Sequence, residues 1–184
     1  MAERTTSLIP RGTWTVDATH STIGFAVKHM GIANVRGRFT EFEGTLEVGE
    51  ELASSSARGT VKVASITTEE EQRDEHLRSA DFFNVEEFPE ITFESTLVEA
   101  IDDESTNVVG KLTMHGVTNE VKLKAVVQGT DVDPSGNERA GIEVIGVLKR
   151  SDFDMKFNQA LGSGNVLVGD RVNMSLDISA VRQE

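Results

Sequence analysis

The four histidines are the first place to look for chemistry in this sequence, because it contains no cysteine. They stand at positions 20, 29, 76 and 115, a spacing that matches no metal-ligand pattern such as H-E-x-x-H. A hydrolase would need an activated nucleophile, yet the sequence has no G-x-S-x-G elbow. The glycine-rich "GSGNVLVGD" precedes a predicted strand instead of a helix, so it lacks the setting of a phosphate-binding loop. We predict that the protein is not an enzyme and has no metal site and no cofactor.

Charge and composition restrict the partners and the location. The chain has 184 residues with 18 basic and 31 acidic side chains, and its net charge of -13 argues against nucleic acid and anionic membrane surfaces. The opening "MAERTTSLIPRGTW" has no apolar signal core, and no window approaches the roughly 18 apolar residues of a membrane span. We expect one soluble domain without stable membrane insertion. Its expected location is cytoplasmic as written, and periplasmic or secreted only if a signal has been removed.

The elements that must position any site are β-strands, because apolar residues recur with period two. In "RVNMSLDISAV" the even positions from Val172 to Ala180 are apolar and the odd positions between them are polar. Similar alternation elsewhere predicts an all-β fold of about eight antiparallel strands. Glycines at 24, 37, 44, 110 and 146 permit the coiling that closes a barrel, and a barrel of eight strands can hold one small ligand. A flat sandwich is the competing architecture.

Two segments depart from simple alternation. In "VRGRFTEFEGTLEV" the apolar positions change from odd to even, which predicts a β-bulge near Thr40 or Glu41. The stretch from Ile142 to Leu148 is apolar on both faces, which predicts that it lies beneath another element.

A short helical insertion is predicted at about residues 68–84. Thr68 and Glu71 have the spacing of a capping box at its start. Two i,i+4 ion pairs are also predicted within it, Glu69 with Arg73 and Asp74 with Arg78. The helix has almost no apolar face, so we expect it to be anchored by Leu77, Phe82 and Phe83, which would plug one end of the barrel.

Five stretches together resemble the YceI-like family of lipocalin-like proteins. They are "DATHSTIGFAVKHMGIANVRGRFTEFEGTL", "RDEHLRSADFFNVEEFPEITFES", "GKLTMHGVTNEVKL", "RSDFDMKF" and "VGDRVNMSLDIS". The resemblance runs from about Trp14 to about Ala180. It implies a single eight-stranded antiparallel lipocalin-like barrel with a helical insertion, enclosing a long apolar pocket for a polyisoprenoid chain or an isoprenoid quinone-like molecule. We therefore divide the chain into an N-terminal tail, residues 1–12, and a barrel domain, residues 13–184.

The resemblance has two departures and one further implication. The family usually has Asp where this chain has Asn84, and Gly where it has Asp154. An Asp at a position that favours Gly is expected to alter the local turn or narrow the approach to the pocket. Relatives also dimerise, and exposed strand edges would permit a homodimer here.

An apolar ligand is expected from the residues themselves, since the aromatic residues are nine Phe and one Trp, with no Tyr hydroxyl among them. Strand parity, the helical plug and the family motifs predict the apolar lining. Its members are Phe25, Val27, Phe39, Phe42, Leu77, Phe82, Phe83, Ile91, Phe93, Leu112, Met114, Phe153 and Met174. Parity does not distinguish residues that touch ligand from those that fill the barrel.

A polar headgroup would require partners at the mouth of the barrel. The predicted set is His20, His29, Arg73, His76, Arg150 and Asp152. A diphosphate would favour arginine and lysine, whereas neutral donors would satisfy a quinone. Each of these residues also has an ordinary explanation as a surface charge or a structural hydrogen bond.

The predicted function is non-enzymatic binding, storage or transport of an amphipathic isoprenoid lipid. Two alternatives remain open. The ligand could be another lipophilic small molecule, such as a fatty-acid derivative or an antibiotic. A catalyst that acts on such a molecule with a His or Asp at the mouth is the third hypothesis.

Overall fold

The computed structural model describes residues 4–184 as eleven antiparallel strand segments and one α-helix. The strands are β1 (Gly12–Val16), β2 (Thr22–His29), β3 (Ala33–Phe39), β4 (Phe42–Val48), β5 (Ser56–Lys62), β6 (Ile66–Thr67), β7 (Glu90–Ala100), β8 (Ser105–Met114), β9 (Val117–Val132), β10 (Glu138–Lys149) and β11 (Val168–Arg182). The helix α1 is Glu71–Arg78. It lies between β6 and β7, within the predicted insertion.

The eleven segments form a closed barrel of eight strands. Both β1 and β2 pair with β11, so they are two halves of one strand. In the same way β3 pairs with β2 and β4 pairs with β1, so β3 and β4 are two halves of one strand. Likewise β6 pairs with β3 and β5 pairs with β4. From β7 to β11 each strand pairs with the next, and the β1–β11 pairing closes the ring. The predicted eight-stranded antiparallel barrel is confirmed, and the flat sandwich is wrong.

The apolar positions change from odd to even where the sequence predicts it, between β3 and β4. Strand β3 ends at Phe39 and β4 begins at Phe42. The backbone N–H groups of Thr40 and Glu41 both donate to Ser65 Oγ, at 3.1 and 3.0 Å. The serine hydroxyl therefore satisfies the backbone of the two residues that leave the ladder, which lets the strand bend without orphaned donors.

Glycines on the barrel wall leave room for large side chains of neighbouring strands. Gly37 lies opposite Phe25 in the β2–β3 ladder, and the Phe25 ring covers the space that a Cβ on Gly37 would occupy. Gly146 lies opposite Met174 in the β10–β11 ladder, with the Leu123 side chain close by as well. These glycines thus allow the ends of large side chains to approach the wall closely.

The buried core has two parts, one at each end of the barrel. The part near α1 includes Phe39, Val63, Ile66, Ile91, Leu112, Met114, Leu148, Phe153 and Met155. The part at the far end includes Ile9, Trp14, Val48, Ala140 and Ala180.

The described part of the predicted N-terminal tail packs against the far end of the barrel. Ile9 is buried in the core there. Arg4 Nη2 donates to Thr106 Oγ1 at 2.8 Å, and the Leu52 N–H donates to the Thr5 carbonyl at 2.7 Å. Residues 1–3 of that tail lie outside the described residues. Residues 4–11 therefore help to close the barrel.

The prediction that Ile142 to Leu148 lies beneath another element is wrong. Ile142, Val144 and Leu148 face the barrel interior, but Ile145 and Val147 are exposed. A closed barrel packs only its inner face, so the outer face of β10 is open to solvent.

Helix α1 begins differently from the prediction. Glu70 is the N-cap, and its side chain accepts a hydrogen bond from the Arg73 N–H at 2.7 Å. Thr68 instead donates from its N–H and hydroxyl to Asp74 Oδ1, at 2.8 and 2.5 Å. Glu69 has a φ of 63°, so the chain reverses there and the helix starts after it. The predicted capping box is therefore wrong.

The predicted i,i+4 ion pairs of α1 are also wrong. Glu69 instead binds Arg38 of β3 at 3.0 Å, and Glu71 lies 3.4 Å from Arg78 Nη1. Asp74 is buried against Thr68, so the helix is attached to the barrel by a polar contact as well as by apolar residues.

Candidate ligand-binding cavity

A cavity of about 540 Å³ occupies the barrel interior. All the predicted apolar lining residues face it except Phe153. Those that do are Phe25, Val27, Phe39, Phe42, Leu77, Phe82, Phe83, Ile91, Phe93, Leu112, Met114 and Met174. The even positions of β11 and the odd positions of β9 add further aliphatic side chains. Strand alternation therefore builds a lining that is almost wholly apolar.

Phe153 lies in the core behind the cavity lining. It is buried, and its carbonyl oxygen is 3.0 Å from His115 Nδ1. The residue belongs to the 3₁₀ turn Arg150–Phe153 that follows β10, so strand alternation does not direct its ring inward. Its predicted place in the lining is wrong.

Several lining residues lie outside the strands and were missed by sequence reasoning. They are Ile9 and Leu52 at the far end of the barrel, and Phe157 and Leu167 near α1. Phe157 ends the family-like stretch "RSDFDMKF", which is the one signal that could have identified it. The others lie in loops, where periodicity carries no information about facing.

The segment after α1 forms an aromatic plug at one end of the cavity. The Phe82 N–H donates to the Ser79 carbonyl and the Phe83 N–H to the Leu77 carbonyl, both at 3.0 Å, which folds the chain back over the barrel. Phe83 packs edge-on against Phe39 with ring centroids 6.0 Å apart. We call this end of the barrel the helical end.

Phe82 belongs to a second aromatic group at the helical end. Its ring lies 5.2 Å from Phe157 and 5.0 Å from His76, and His76 also packs edge-on against Phe157 at 5.0 Å. His76 Nε2 is 2.8 Å from Asp81 Oδ2, which fixes the orientation of the imidazole. His76 therefore lines the cavity and also supports the plug.

Arg73 also lines the cavity at the helical end. Its Nε donates to Thr68 Oγ1 at 2.7 Å and its Nη2 to the Thr68 carbonyl at 2.8 Å. These two bonds hold the guanidinium beside the barrel rim.

Arg150 is a buried cation that joins three parts of the wall. It is 5% exposed, and its Nε, Nη1 and Nη2 donate to the carbonyls of Gly169, Met155 and Val168 at 2.8, 2.9 and 3.2 Å. Burial lowers the pKa of the guanidinium, and the charge of Asp170 opposes that effect. Arginine stays protonated in proteins. A positive charge therefore lies in the cavity wall, 5.9 Å from the centre of the Phe82 ring.

Of the remaining polar residues predicted to bind a headgroup, one lines the cavity and two do not. His29, at the end of β2, lines the cavity, and so does its neighbour Lys28. His20 does not, because it lies in the 3₁₀ turn before β2, at the opposite end of that strand, with Nδ1 2.6 Å from Asp17 Oδ2. Asp152 is exposed in the turn after β10, and its carbonyl accepts a hydrogen bond from Asn119 Nδ2 at 2.6 Å. The predicted placement of His20 and Asp152 at the mouth is wrong.

The two family departures occupy left-handed backbone positions. Asn84 has a φ of 50° and Asp154 a φ of 59°. Asn and Asp are the residues other than glycine that adopt this conformation most readily. Asp154 also ends the Arg150–Phe153 turn, and its N–H donates to the Ser151 carbonyl at 3.1 Å. The turn therefore accommodates aspartate.

Within residues 4–184 no three His, Asp or Glu side chains form a group that could hold a metal ion. None of the helices in that range is long and apolar enough to cross a bilayer.

A closed eight-stranded antiparallel barrel around an apolar cavity defines the lipocalin-like fold class. The YceI-like domain matches residues 14–180. A UPF0312 protein of Pseudomonas aeruginosa is 38% identical over 168 residues, which cover 91% of this chain and 84% of the relative. A UPF0312 protein of Staphylococcus aureus is 36% identical over 161 residues, which cover 86% and 91%. The chain belongs to the YceI-like family.

Solved structures share the same fold. The YceI protein of Campylobacter jejuni is 30% identical, with a TM-score of 0.71 over 85% of this chain and 90% of that protein. BcnA of Burkholderia cenocepacia has a TM-score of 0.76 at 22% identity, over 89% and 98%. A polyisoprenoid binding domain from Saccharophagus degradans has a TM-score of 0.70 at 15% identity, over 92% and 98%. The last two likenesses concern the fold alone.

Proposed function

We propose that this protein binds an amphipathic isoprenoid lipid in its barrel, and stores or carries it without chemical change. The observation that carries the proposal is the cavity of about 540 Å³ with an almost wholly apolar lining. Its volume lies in the range of about 300–1,000 Å³ usual for small-molecule sites. The polyisoprenoid binding domain from Saccharophagus degradans has the same fold, so the fold is compatible with this class of ligand.

The hydrocarbon chain supplies most of the binding free energy in this proposal. Each buried methylene contributes about 0.8 kcal/mol, so a chain of ten would contribute on the order of 8 kcal/mol before the cost of ordering. The rings of Phe25, Phe39 and Phe93 and the thioether of Met174 offer apolar contact without a hydroxyl that would need a partner.

The headgroup lies at the helical end in this proposal. Lys28, His29, Arg73, His76 and Arg150 line the cavity there. Their donors favour a headgroup with hydrogen-bond acceptors, such as a quinone carbonyl or a phosphate oxygen. Arg150 already donates from all three guanidinium nitrogens to carbonyls, so it contributes mainly its charge. Direct hydrogen bonds would come from Lys28, His29 and Arg73.

Native mass spectrometry of the purified protein, followed by lipid extraction, tests the proposal. We expect an adduct whose extracted lipid shows isoprenoid C5 spacing. The protein stripped of lipid should regain an adduct on incubation with a prenylated quinone. Recovery of a fatty-acid derivative would favour the alternative lipophilic ligand. A stripped barrel that takes up neither compound would contradict a lipid-binding role, and consumption of the added ligand would contradict the absence of chemistry.

A further inference from the structure

The turn between β2 and β3 exposes two large apolar side chains. Met30 is 38% exposed and Ile32 is 78% exposed. The Ile32 N–H donates to the His29 carbonyl at 3.1 Å, and Met30 and Gly31 have φ values of 55° and 74°. Two successive residues with positive φ define a type I′ turn, whose first central position favours Asn, Asp or Gly. Methionine occupies that position at a conformational cost, which calls for another reason for its presence.

A third exposed apolar residue belongs to the same surface. The Met30 N–H donates to the Leu167 carbonyl at 2.9 Å, and Asn165 Nδ2 donates to the Met30 carbonyl at 2.9 Å. These bonds attach the β2–β3 turn to the loop before β11, where Val166 is 42% exposed. We call Met30, Ile32 and Val166 the apolar tip.

The apolar tip borders the cavity at the helical end. His29 precedes Met30, and Leu167 and Val168 follow Val166; these three neighbours all line the cavity. Cavity-lining residues and residues of the apolar tip are therefore chain neighbours in both segments. A lipid that enters or leaves at this point would stay in contact with apolar side chains.

The charge around the apolar tip differs from that of the whole molecule. Residues 28–38 and 155–169 contain Lys28, Arg36, Arg38 and Lys156 and no Asp or Glu, although Asp154 and Asp170 border the second segment and the chain has a net charge of -13. Arg38 pairs with Glu69 and Lys156 with Asp154 from outside these segments. Charges more than about 8 Å away are largely screened at physiological salt. The charges close to the apolar tip therefore determine its electrostatic attraction to a lipid surface.

We propose that the apolar tip docks the protein on a bilayer that contains anionic lipid, with the helical end of the barrel toward the membrane. Met30, Ile32 and Val166 enter the interface, while Lys28 and Arg36 lie at the level of the headgroups. Large exposed apolar side chains with flanking cations are the features by which peripheral proteins contact lipid. The passage of ligand between bilayer and cavity rests on the proposed function; the docking itself does not.

Vesicle flotation tests the apolar part of the proposal. We expect the wild-type protein to float with vesicles of phosphatidylcholine and phosphatidylglycerol, and Ile32→Asp to lower its partition coefficient about tenfold or more. Val132→Asp is the matched control. Val132 is 58% exposed at the end of β9, which lies at the end of the barrel opposite the Arg150 turn. Failure of the wild type to float, or an equal loss in Val132→Asp, would overturn the proposal.

Vesicle charge and salt test the electrostatic part. At low salt, Arg36→Gln should lower partitioning about fivefold, and added salt should remove that difference. Pure phosphatidylcholine vesicles should bind the wild type less tightly than the mixture. Equal binding to both compositions would show that anionic lipid plays no part, and the proposal as stated would be wrong.

A ligand-transfer measurement separates this inference from the proposed function. Protein loaded with a prenylated quinone should retain it equally in wild type and Ile32→Asp by native mass spectrometry, whereas transfer to vesicles should be about tenfold slower in the variant. Equal transfer rates would overturn docking and leave ligand binding intact. If the protein docks on vesicles but its barrel takes up no lipid, the proposed function is wrong and the membrane contact stands.

Discussion

The adjacent residues Phe82 and Phe83 have different roles at the helical end. Phe82 is buried against His76 and Phe157, so it supports the fold of the plug. Phe83 is only partly buried and packs edge-on against Phe39 beside the cavity. Both rings line the cavity, but only Phe82 is fully buried, so its main contribution is to packing.

We expect Phe82→Ala to lower the free energy of unfolding by about 3–5 kcal/mol, because it removes a buried ring and leaves a cavity. Phe83→Ala should cost less stability and lower ligand retention more. Urea unfolding measures the first effect and native mass spectrometry the second. Glu75→Gln is the control, since Glu75 is exposed on α1 and such a change should stay within about 0.5 kcal/mol. A larger effect of Glu75→Gln than of either alanine variant would contradict the role of the plug.

At the scale of the strand, the absence of a side chain at Gly37 leaves room for the Phe25 ring on the neighbouring strand. The end of the Phe25 ring occupies the space beside β3 that a Cβ on Gly37 would need. Residues that lie opposite each other on adjacent strands pack together in the barrel wall. A substitution on one strand is therefore expected to move a side chain on its neighbour.

Gly37→Ala should therefore push the Phe25 ring into the cavity. We expect a loss of about 1–3 kcal/mol in the free energy of unfolding and weaker ligand retention, because overpacking displaces a ring. The matched control is Gly141→Ala in β10, where the nearest atom to the new Cβ is Gln128 Cβ at 3.6 Å. Urea unfolding and native mass spectrometry report the two effects. If both glycine variants behave alike, the Phe25 contact does not determine the cavity width.

An ion network ties three elements together at the far end of the barrel. Arg139 of β10 donates to Asp17 Oδ2 at 2.9 Å and to Asp133 Oδ2 at 2.7 Å. The Arg139 guanidinium, with a smaller contribution from His20, lowers the pKa of Asp17 to about 2. Arg139, followed by the Asn137 backbone, holds the pKa of Asp133 well below its usual range.

This network predicts a pH dependence of stability. Because the folded-state pKa values are lowered, the contribution is present above the unfolded value of about 3.9 and is lost as the pH falls through about 2. The melting temperatures of wild type and Arg139→Gln should thus differ at neutral pH and converge toward pH 2. Arg58→Gln, an exposed change on β5, serves as the control. A difference that stays constant down to pH 2 would contradict the coupling.

At the scale of the whole molecule, the proposed function implies that ligand binding stabilises the folded barrel. The walls of an apolar cavity lack contact partners when no ligand fills it. A ligand that binds only the folded state stabilises it by about 2.7 kcal/mol at a free concentration of 100 times its Kd.

We therefore expect protein stripped of lipid to melt about 5–11 °C below protein reloaded with a prenylated quinone, at 2–4 °C per kcal/mol for this size. Differential scanning calorimetry measures the shift. A soluble quinone without the isoprenoid chain is the control and should raise the melting temperature little, since the chain supplies most of the buried area. Equal shifts from both compounds would place the binding free energy in the headgroup instead of the chain.

The sequence by itself determined the barrel and most of its lining. Alternation with period two requires only that one face of each strand be buried, so it is readable strand by strand. The change of phase after Phe39 was readable for the same reason, as was the cavity-facing position of Phe25 and Met174. The plug at Phe82 and Phe83 was inferred from a helix with almost no apolar face, which needs an apolar anchor beyond its end.

Only the tertiary structure decided what depends on residues far apart in the chain. The positive φ of Glu69 moved the start of α1, and ring closure left Ile145 and Val147 exposed. The length of β2 separates His20 from His29, although both flank one strand in the sequence. The apolar tip emerged only when two distant loops were hydrogen-bonded together. Such features are set by chain reversal, closure and contact between loops, and local pattern does not encode these.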